Sequence, residues 1–254
     1  MFGLLKGKKA VVTGAAQGIG RAVAEIYAEN GADVALCDLN EALLKEVAGE
    51  IAKATGRVCL PVVMNVADRL SVDSAVTAIQ KEFGRIDVLC HSAGILVHSL
   101  MLDMQEEQWD RIFDINVKGT FLVNQAVGRV MKAQGGGKIV DISSCSGKKP
   151  TWEEAAYCST KSAVNGFIKV AALELGKYGI NVNAVCPGAT DTEMVRKTFI
   201  TSPEIEREWI EKTALKRLGQ PKDQARAVLF LSSELADHIT GETLIVSAGE
   251  MMTQ

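Results

Sequence analysis

The stretch VVTGAAQGIGRA, residues 11–22, decides the fold, because in it an apolar run passes directly into a glycine-rich turn and a helical pattern. Its glycines, Gly14, Gly18 and Gly20, have the spacing GxxxGxG. Glycine lets the backbone turn sharply and approach a ligand closely, and a helix N-terminus presents free N–H groups to a phosphate. The stretch therefore predicts a phosphate-binding loop. The spacing matches neither GxGxxG nor the Walker motif, so a merely tight turn is the alternative.

Short apolar runs alternate with longer helical patterns along the rest of the chain. Runs rich in Val, Ile and Leu without strict apolar–polar alternation are typical of parallel strands buried on both faces. The further runs are DVALCD, CLPVVMNV, IDVLCHSAG, KIVDISS, INVNAVCPG and ETLIVSAG. This order predicts an α/β fold with one Rossmann-type, doubly wound parallel sheet of about seven strands and helices on both faces. Because no linker interrupts the pattern, we expect a single domain over residues 1–254.

Residues 190–216 break this alternation with a long polar and helical stretch. The stretch is too long for a tight connection between a strand and a helix, and such excursions are often lids or binding loops. It follows INVNAVCPG, and open α/β sheets bind ligands at the carboxyl ends of their strands. We therefore expect a helical lid near a substrate pocket.

Composition narrows the kind of partner. The chain has 254 residues, 47% of them hydrophobic, and a formal net charge of −3 without a long run of one sign, which argues against nucleic acid as the main partner. Its apolar stretches are far shorter than a membrane span, and the start MFGLLKGKKAVVTG lacks the features of a signal peptide. The six cysteines are scattered singly, so no metal site is predicted. We expect a cytoplasmic protein that binds a small molecule and neither membrane nor nucleic acid.

Asp38 ends the second apolar run, eighteen residues beyond Gly20. In a dinucleotide site, a carboxylate at this place accepts hydrogen bonds from the adenosine ribose hydroxyls and repels a 2′-phosphate. Gln17 stands in the glycine loop, so no arginine there compensates for that repulsion. The pair favours NAD over NADP; a surface aspartate that prepares a turn is the alternative.

The stretch AAYCSTK, residues 155–161, places Tyr157 and Lys161 four positions apart, on one face of a helix. Such a pair can arise by chance, so its neighbours decide its meaning. Ser144 lies thirteen residues before Tyr157.

Together these motifs resemble the short-chain dehydrogenase/reductase family, over nearly the whole chain. TGAAQGIG resembles the TGxxxGIG loop of that family, and YCSTK resembles its YxxxK pair. INVKG places Asn116 at the structural and catalytic asparagine, and the separation of Ser144 from Tyr157 is the usual one in the family. PGATDT supplies the Pro-Gly turn and the later Thr192.

The resemblance implies hydride transfer that interconverts a secondary alcohol and a ketone with a nicotinamide cofactor, and Asp38 and Gln17 favour NAD as that cofactor. It implies that Tyr157 transfers the proton and that Ser144 positions the reacting oxygen. It also implies that Lys161 binds the nicotinamide ribose hydroxyls and that Asn116 anchors a water-mediated proton relay. By the same analogy we expect a homotetramer. The expected cofactor-binding residues are Gly14, Gln17, Gly18, Ile19, Gly20, Asp38, Asn65, Val66, Ala93, Gly94, Tyr157, Lys161, Pro187, Gly188 and Thr192.

A charge beside the tyrosine would change its acidity. A free tyrosine with a pKa near 10 is a poor base at neutral pH. Lys161 at about 4 Å and an effective dielectric near 20 would supply roughly 4 kcal/mol, close to 3 pKa units. We therefore expect a lowered pKa for Tyr157, with burial acting against it.

Five residues at three sites depart from the family pattern. HSAG puts His91 and Ser92 where the family has two asparagines, and Asn65 stands where an aspartate is usual. The final VSAG puts Ser247 and Ala248 in place of a common VDGG. We expect His91 to be a strand-end residue satisfied by the sheet, and not a catalyst or a metal ligand.

The substrate pocket is expected between CSGKKPTWEEA, ILVHSLM and the lid, with Ser144, Trp152, Glu154 and Met194 in contact with substrate. Carboxylates beside an aromatic wall suit a polyol, a sugar or a sugar acid. As alternatives, Glu153 and Glu154 are solvated charges, or Lys148 and Lys149 bind an anionic substrate. A 3-oxoacyl-[acyl-carrier-protein] reductase is the rival enzyme, and a non-catalytic nucleotide-binding protein is the rival of another class.

Overall fold

The computed structural model describes residues 3–252, and a seven-stranded parallel sheet lies at its centre. The strands are β1 (Lys9–Thr13), β2 (Asp33–Asp38), β3 (Cys59–Val63), β4 (Val88–His91), β5 (Gly137–Ile142), β6 (Ile180–Pro187) and β7 (Thr243–Val246). They lie in the order β3-β2-β1-β4-β5-β6-β7. The predicted doubly wound sheet is confirmed, and the strand order reverses between β1 and β4, which is where such sheets bind ligands.

Helices cover both faces of the sheet. They are α1 (Gly18–Glu29), α2 (Glu41–Thr55), α3 (Arg69–Phe83), α4 (Glu106–Phe113), α5 (Gly119–Gln134), α6 (Ala155–Leu175), α7 (Glu193–Thr198), α8 (Pro203–Glu211) and α9 (Pro221–Ser232). Residues of α1, α2 and α9 pack into one apolar cluster, and residues of α3, α5 and α6 pack into the other. In the described part of the chain, no helix is long and apolar enough to cross a membrane.

Successive residues of a strand contribute alternately to the two apolar clusters. In β1, Ala10 and Val12 belong to the first cluster, whereas Val11 belongs to the second. A strand covered on both faces has no solvent side, so its run is continuously apolar. The two edge strands are exceptions: every residue of β3 and all but Thr243 of β7 are half-buried or exposed, so the expectation of burial on both faces is wrong for these strands.

The excursion at residues 190–216 is helical, as expected, since it contains α7 and α8. Side chains cap both helices: the Thr192 hydroxyl accepts the N–H of Val195, and the Ser202 hydroxyl accepts the N–H of Ile205. Because all strands are parallel, their carboxyl ends meet at the sheet edge that this segment follows.

Candidate active site

A cavity of about 870 Å³ lies at the carboxyl edge of the sheet. The residues expected to bind cofactor or substrate line it: Gly14, Gln17, Gly18, Ile19, Gly20, Asp38, Asn65, Val66, Ala93, Gly94, Ser144, Trp152, Glu154, Tyr157, Lys161, Pro187, Gly188, Thr192 and Met194. Asn116 is the one predicted residue that lies behind the wall. Residues from the two halves of the sequence therefore meet at one site.

The glycine loop packs directly against the turn after β4. Gly14 has a φ of +65°, and a Cβ there would lie 2.9 Å from the Cα of Ala93. A Cβ on Gly20 would lie 2.1 Å from the carbonyl oxygen of Gly14. The side chain of Gln17 does not cap α1, and the first turn of α1 holds no acidic residue. The loop thus leaves backbone N–H groups at a helix N-terminus for a phosphate, which fits a dinucleotide.

Asp38 is fixed at the cavity wall by the backbone. One of its carboxylate oxygens accepts the N–H of Ala16 at 3.1 Å, and the other accepts the N–H of Asn40 at 3.1 Å. Both contacts come from turns that follow strands, β1 and β2 respectively. The carboxylate therefore has a set position beside the glycine loop, as a ribose-binding group requires.

Ser144, Tyr157 and Lys161 converge on the other side of the cavity. Ser144 follows β5, and its hydroxyl accepts the N–H of Ser146 at 3.1 Å. Tyr157 and Lys161 lie one turn apart on α6, with the lysine Nζ 5.6 Å from the centroid of the tyrosine ring. The same Nζ donates to the carbonyl oxygen of Ile142, the last residue of β5, at 2.8 Å. The end of β5 and the start of α6 thus hold all three groups.

Burial controls the protonation of this group. It raises the pKa of Tyr157 above its ordinary value, Ser144 lowers that pKa, and Glu154 raises it further. The expected lowering of the Tyr157 pKa is therefore wrong for the chain by itself, because removal of the phenolate from water outweighs the lowering by the hydrogen bond with Ser144. Burial also lowers the pKa of Lys161 to about 8, against the influence of Cys186 and Asp141.

Asn116 lies in a π-helical segment, residues 114–118, between α4 and α5. Its Oδ1 accepts the N–H of Ile95 at 2.9 Å, and its Nδ2 donates to the carbonyl oxygen of Ile95 at 2.8 Å and to the hydroxyl of Thr160 at 3.2 Å. The side chain ties the loop after β4 to α6. Single π turns are frequent at functional sites, and this one turns the asparagine inward.

The substrate side of the cavity separates the two neighbouring glutamates. Glu154 is 3% exposed and lines the cavity, and burial raises its pKa. Glu153 pairs with His98 at 3.3 Å, and neither of these residues lines the cavity. The alternative of a solvated glutamate is therefore excluded for Glu154. Trp152, expected as an aromatic wall, is 78% exposed and contributes at the rim.

The C-terminal turn contributes contacts that sequence reasoning missed. The Glu250 carboxylate accepts the N–H of Ala189 at 2.9 Å, and a Cβ on Gly188 would lie 2.6 Å from it. Ala248 has a φ of +54° in this turn, where the family pattern has a glycine. Arg111 and Met251 also line the cavity and were not predicted, whereas Thr190, Phe199 and Lys212, which were not named individually, belong to the expected lid at residues 190–216. The departure at Ser247 and Ala248 was the sequence signal for the C-terminal turn.

His91 ends β4 as expected, and its Nδ1 shares a hydrogen bond of 2.8 Å with the Thr13 hydroxyl. Its Nε2 is buried and has no hydrogen-bond partner among residues 3–252, so the sheet satisfies only half of the ring. Over the same residues, no group of three or more His, Cys, Asp or Glu side chains could hold a metal ion.

Comparisons with known proteins agree with this geometry. A family model described as Enoyl-(Acyl carrier protein) reductase matches residues 14–250. The chain is 38% identical over 242 residues to the NAD-dependent glycerol dehydrogenase of Listeria innocua, covering 95% of this chain and 93% of that protein. It is 40% identical over 245 residues to a 3-oxoacyl-[acyl-carrier-protein] reductase of Aquifex aeolicus, covering 96% and 98%. The crystal structure of a short-chain type dehydrogenase/reductase from Mycobacterium marinum matches with a TM-score of 0.93 at 36% identity, covering 99% and 98%.

The chain therefore belongs to the short-chain dehydrogenase/reductase family. It is an oxidoreductase of that family.

Replacement of Tyr157 by phenylalanine tests the predicted role of Tyr157 in proton transfer. The change removes the hydroxyl and keeps the ring beside Lys161, so NAD binding should stay within about twofold while turnover falls by about 10²–10⁴-fold or more. Steady-state rates and titration of bound NADH fluorescence measure the two effects. Tyr178→Phe, which changes a half-buried tyrosine outside the cavity wall, is the matched control and should leave both unchanged. Retained turnover in Tyr157→Phe would contradict the assignment.

Proposed function

We propose that this protein is an NAD-dependent oxidoreductase that interconverts a secondary alcohol and a ketone, acting on a polyol, a sugar or a sugar acid. One observation carries the proposal: Ser144, Tyr157 and Lys161 line the same cavity as the glycine loop and Asp38. A proton-transfer group and a dinucleotide cradle on opposite walls of one cavity are what a hydride transfer between two bound molecules requires.

Each group has a defined part in the proposed reaction. When bound, the nicotinamide supplies the hydride acceptor or donor. Tyr157 takes the proton of the substrate hydroxyl in oxidation and returns it in reduction, and Ser144 holds the reacting oxygen. Lys161 binds the nicotinamide ribose hydroxyls, and Asn116 anchors the water that connects Lys161 to solvent.

The preference for NAD rests on charge at the cavity wall. The fixed Asp38 carboxylate would accept both ribose hydroxyls and repel the 2′-phosphate of NADP, and Gln17 offers no positive charge against that repulsion. The similarity to an NAD-dependent glycerol dehydrogenase supports the same choice.

Glu154 favours a polyhydroxylated substrate. The Glu154 carboxylate lines the cavity and can accept hydrogen bonds from whatever enters. The hydroxyls of a polyol supply such donors, and the acyl chain of a fatty-acid intermediate does not. Trp152 at the rim and Met194 on α7 would pack against the carbon skeleton.

The second candidate is a 3-oxoacyl-[acyl-carrier-protein] reductase. The relative in Aquifex aeolicus and the description of the matching family model favour it. A non-catalytic nucleotide-binding protein is disfavoured, since all three reactive groups are in place around the cavity.

We also propose a single domain, a lid formed by residues 190–216, a cytoplasmic location and a homotetramer. Exposed apolar side chains on α5 and α6 support the assembly, with Phe121 at 43%, Val170 at 53% and Leu173 at 83% exposure. Exposed apolar side chains on these helices are what an interface between subunits would cover.

Asp38→Asn tests the cofactor preference. The change removes the charge and keeps the shape, so the ratio of kcat/KM with NADP to that with NAD should rise about tenfold or more, equivalent to about 1.4 kcal/mol. Rates with the two nucleotides measure it. Asp68→Asn, at an exposed aspartate that caps α3 outside the cavity, is the control. A wild-type enzyme that prefers NADP, or an unchanged ratio in Asp38→Asn, would contradict the NAD assignment.

A panel of polyols, sugar acids and 3-hydroxyacyl compounds, read as NADH absorbance, tests the substrate class. Wild type should turn over a polyol, sugar or sugar acid fastest. In Glu154→Gln, kcat/KM for that substrate should fall about tenfold, because an amide binds a hydroxyl more weakly than a carboxylate. Glu153→Gln, which changes the neighbouring glutamate outside the cavity wall, should have no such effect. Faster turnover of acyl compounds, with no loss in Glu154→Gln, would select the reductase instead.

A further inference from the structure

A layer of buried polar groups separates the apolar core from the cavity. Thr13, His91 and Asp141 are register partners on the adjacent strands β1, β4 and β5. Register partners in a sheet project from the same face, so the three side chains lie side by side. This face is the one covered by α5 and α6, because Val11, Leu89 and Ile139, each two residues earlier, belong to that cluster.

The hydrogen bonds of Thr13 fix the proton on His91. The Thr13 hydroxyl oxygen accepts the N–H groups of Ser92 at 3.1 Å and Ala93 at 3.2 Å. A hydroxyl has two acceptor positions and one proton, so the proton of Thr13 goes to Nδ1 of His91. Neutral His91 then carries its own proton on Nε2, the buried nitrogen without a partner among residues 3–252.

Asp141 offers the matching acceptor. It is 1% exposed, and its Oδ1 accepts the side-chain N–H of Asn124 at 2.8 Å. Its Oδ2 is buried and lacks a hydrogen-bond partner within the described residues. A donor without a partner and an acceptor without a partner therefore stand on neighbouring strands, on the same face of the sheet.

The side chain of Lys161 approaches this layer of buried polar groups from α6. It is 6% exposed, and its Nζ is bound to the carbonyl oxygen of Ile142, the residue directly after Asp141. The titratable groups that act on it are His91 from β4, Asp141 from β5, Cys186 from β6 and Tyr157 from its own helix. Burial holds the histidine, the cysteine and the tyrosine neutral. Asp141 is thus the group in this set that can carry negative charge near neutral pH.

We propose that Asp141 is the buried counter-charge of Lys161, and that the Nε2–H group of His91, on the neighbouring strand, stabilises the charge of that carboxylate. Asp141 and His91 are then positioning residues, which act on the reaction through Lys161. The inference rests on the proposed function only for its effect on turnover, since the charge pair itself exists without substrate.

The pair predicts a pH window. Burial raises the pKa of Asp141 to about 7, and the pKa of Lys161 is about 8. Below about pH 7 the carboxyl is protonated, so its removal changes little. Above that pH the carboxylate stabilises the ammonium, and without it Lys161 loses its proton at lower pH.

Asp141→Asn is the principal test. Two measurements follow the variant across pH: the titration of the Lys161 signal in lysine labelled with ¹³C at Cε, assigned by its absence in Lys161→Arg, and the profile of kcat/KM. The lysine titration and the alkaline limb of the profile should both move down by about one pH unit or more, and the difference from wild type should vanish at acid pH, where the lysine is protonated in both proteins. An unmoved lysine titration in a folded variant overturns the proposal.

His91→Asn is the second test, and if Asp141→Asn does not fold, an unmoved Lys161 titration in folded His91→Asn overturns the proposal as a whole. Loss of the Nε2 proton should destabilise the charged form of Asp141. The titration of Lys161 should therefore move in the same direction as in Asp141→Asn, by a smaller amount. An unmoved titration here overturns the part given to His91. Asp33→Asn is the control, because Asp33 is a strand aspartate 5% exposed that binds Lys9 at 2.6 Å at the start of β2. It should leave both measurements unchanged.

The two measurements separate this inference from the proposed function. A shifted lysine titration with an unshifted rate profile supports the counter-charge and removes Lys161 from the proposed reaction. A shift in both supports both.

Discussion

The hydrogen bond from the buried ammonium of Lys161 to the carbonyl oxygen of Ile142 is the contact on which the site depends. The lysine is only 6% exposed, so its charge is balanced mainly by protein groups. The end of β5 supplies them, with the carbonyl of Ile142 beside the carboxylate of Asp141. Asn116 holds Thr160, the neighbour of Lys161, and so fixes α6 against the loop after β4. The lysine is thereby placed one turn from Tyr157.

The same burial that positions these groups opposes the chemistry that we propose for them. Removal from water raises the pKa of Tyr157, which stays protonated, and lowers the pKa of Lys161, which loses its charge more easily. A tyrosine in that state can donate a proton, whereas its use as a base needs additional positive charge nearby. Asp141 sustains the ammonium, and the positive nicotinamide ring of NAD⁺ would add a second charge. In this account Tyr157 keeps its proton in the free protein. Bound NAD⁺ lowers the pKa of Tyr157, so that the tyrosine can act as a base.

Residues near one another in the chain made much of this site predictable. The glycine loop, the Tyr157–Lys161 pair and the preceding Ser144 each form a local pattern, and the parallel sheet follows from the apolar runs. The layer of Thr13, His91 and Asp141 was not predictable, because it depends on the register of three strands that are far apart in sequence. The predicted direction of the shift in the Tyr157 pKa was wrong for a similar reason. The spacing of four residues indicates a neighbouring charge, but it does not indicate how deeply the tyrosine is buried.

The titration of Tyr157, with and without NAD⁺, tests the central claim most directly. The chain has 3 tyrosines, so ¹³Cζ labelling gives three signals, which single Tyr→Phe variants assign. Tyr157 in the free protein should titrate above the ordinary tyrosine pKa of about 10, and NAD⁺ should lower that value by about one unit or more. A Tyr157 that titrates at or below the ordinary value in the free protein, or that does not respond to NAD⁺, would contradict the account.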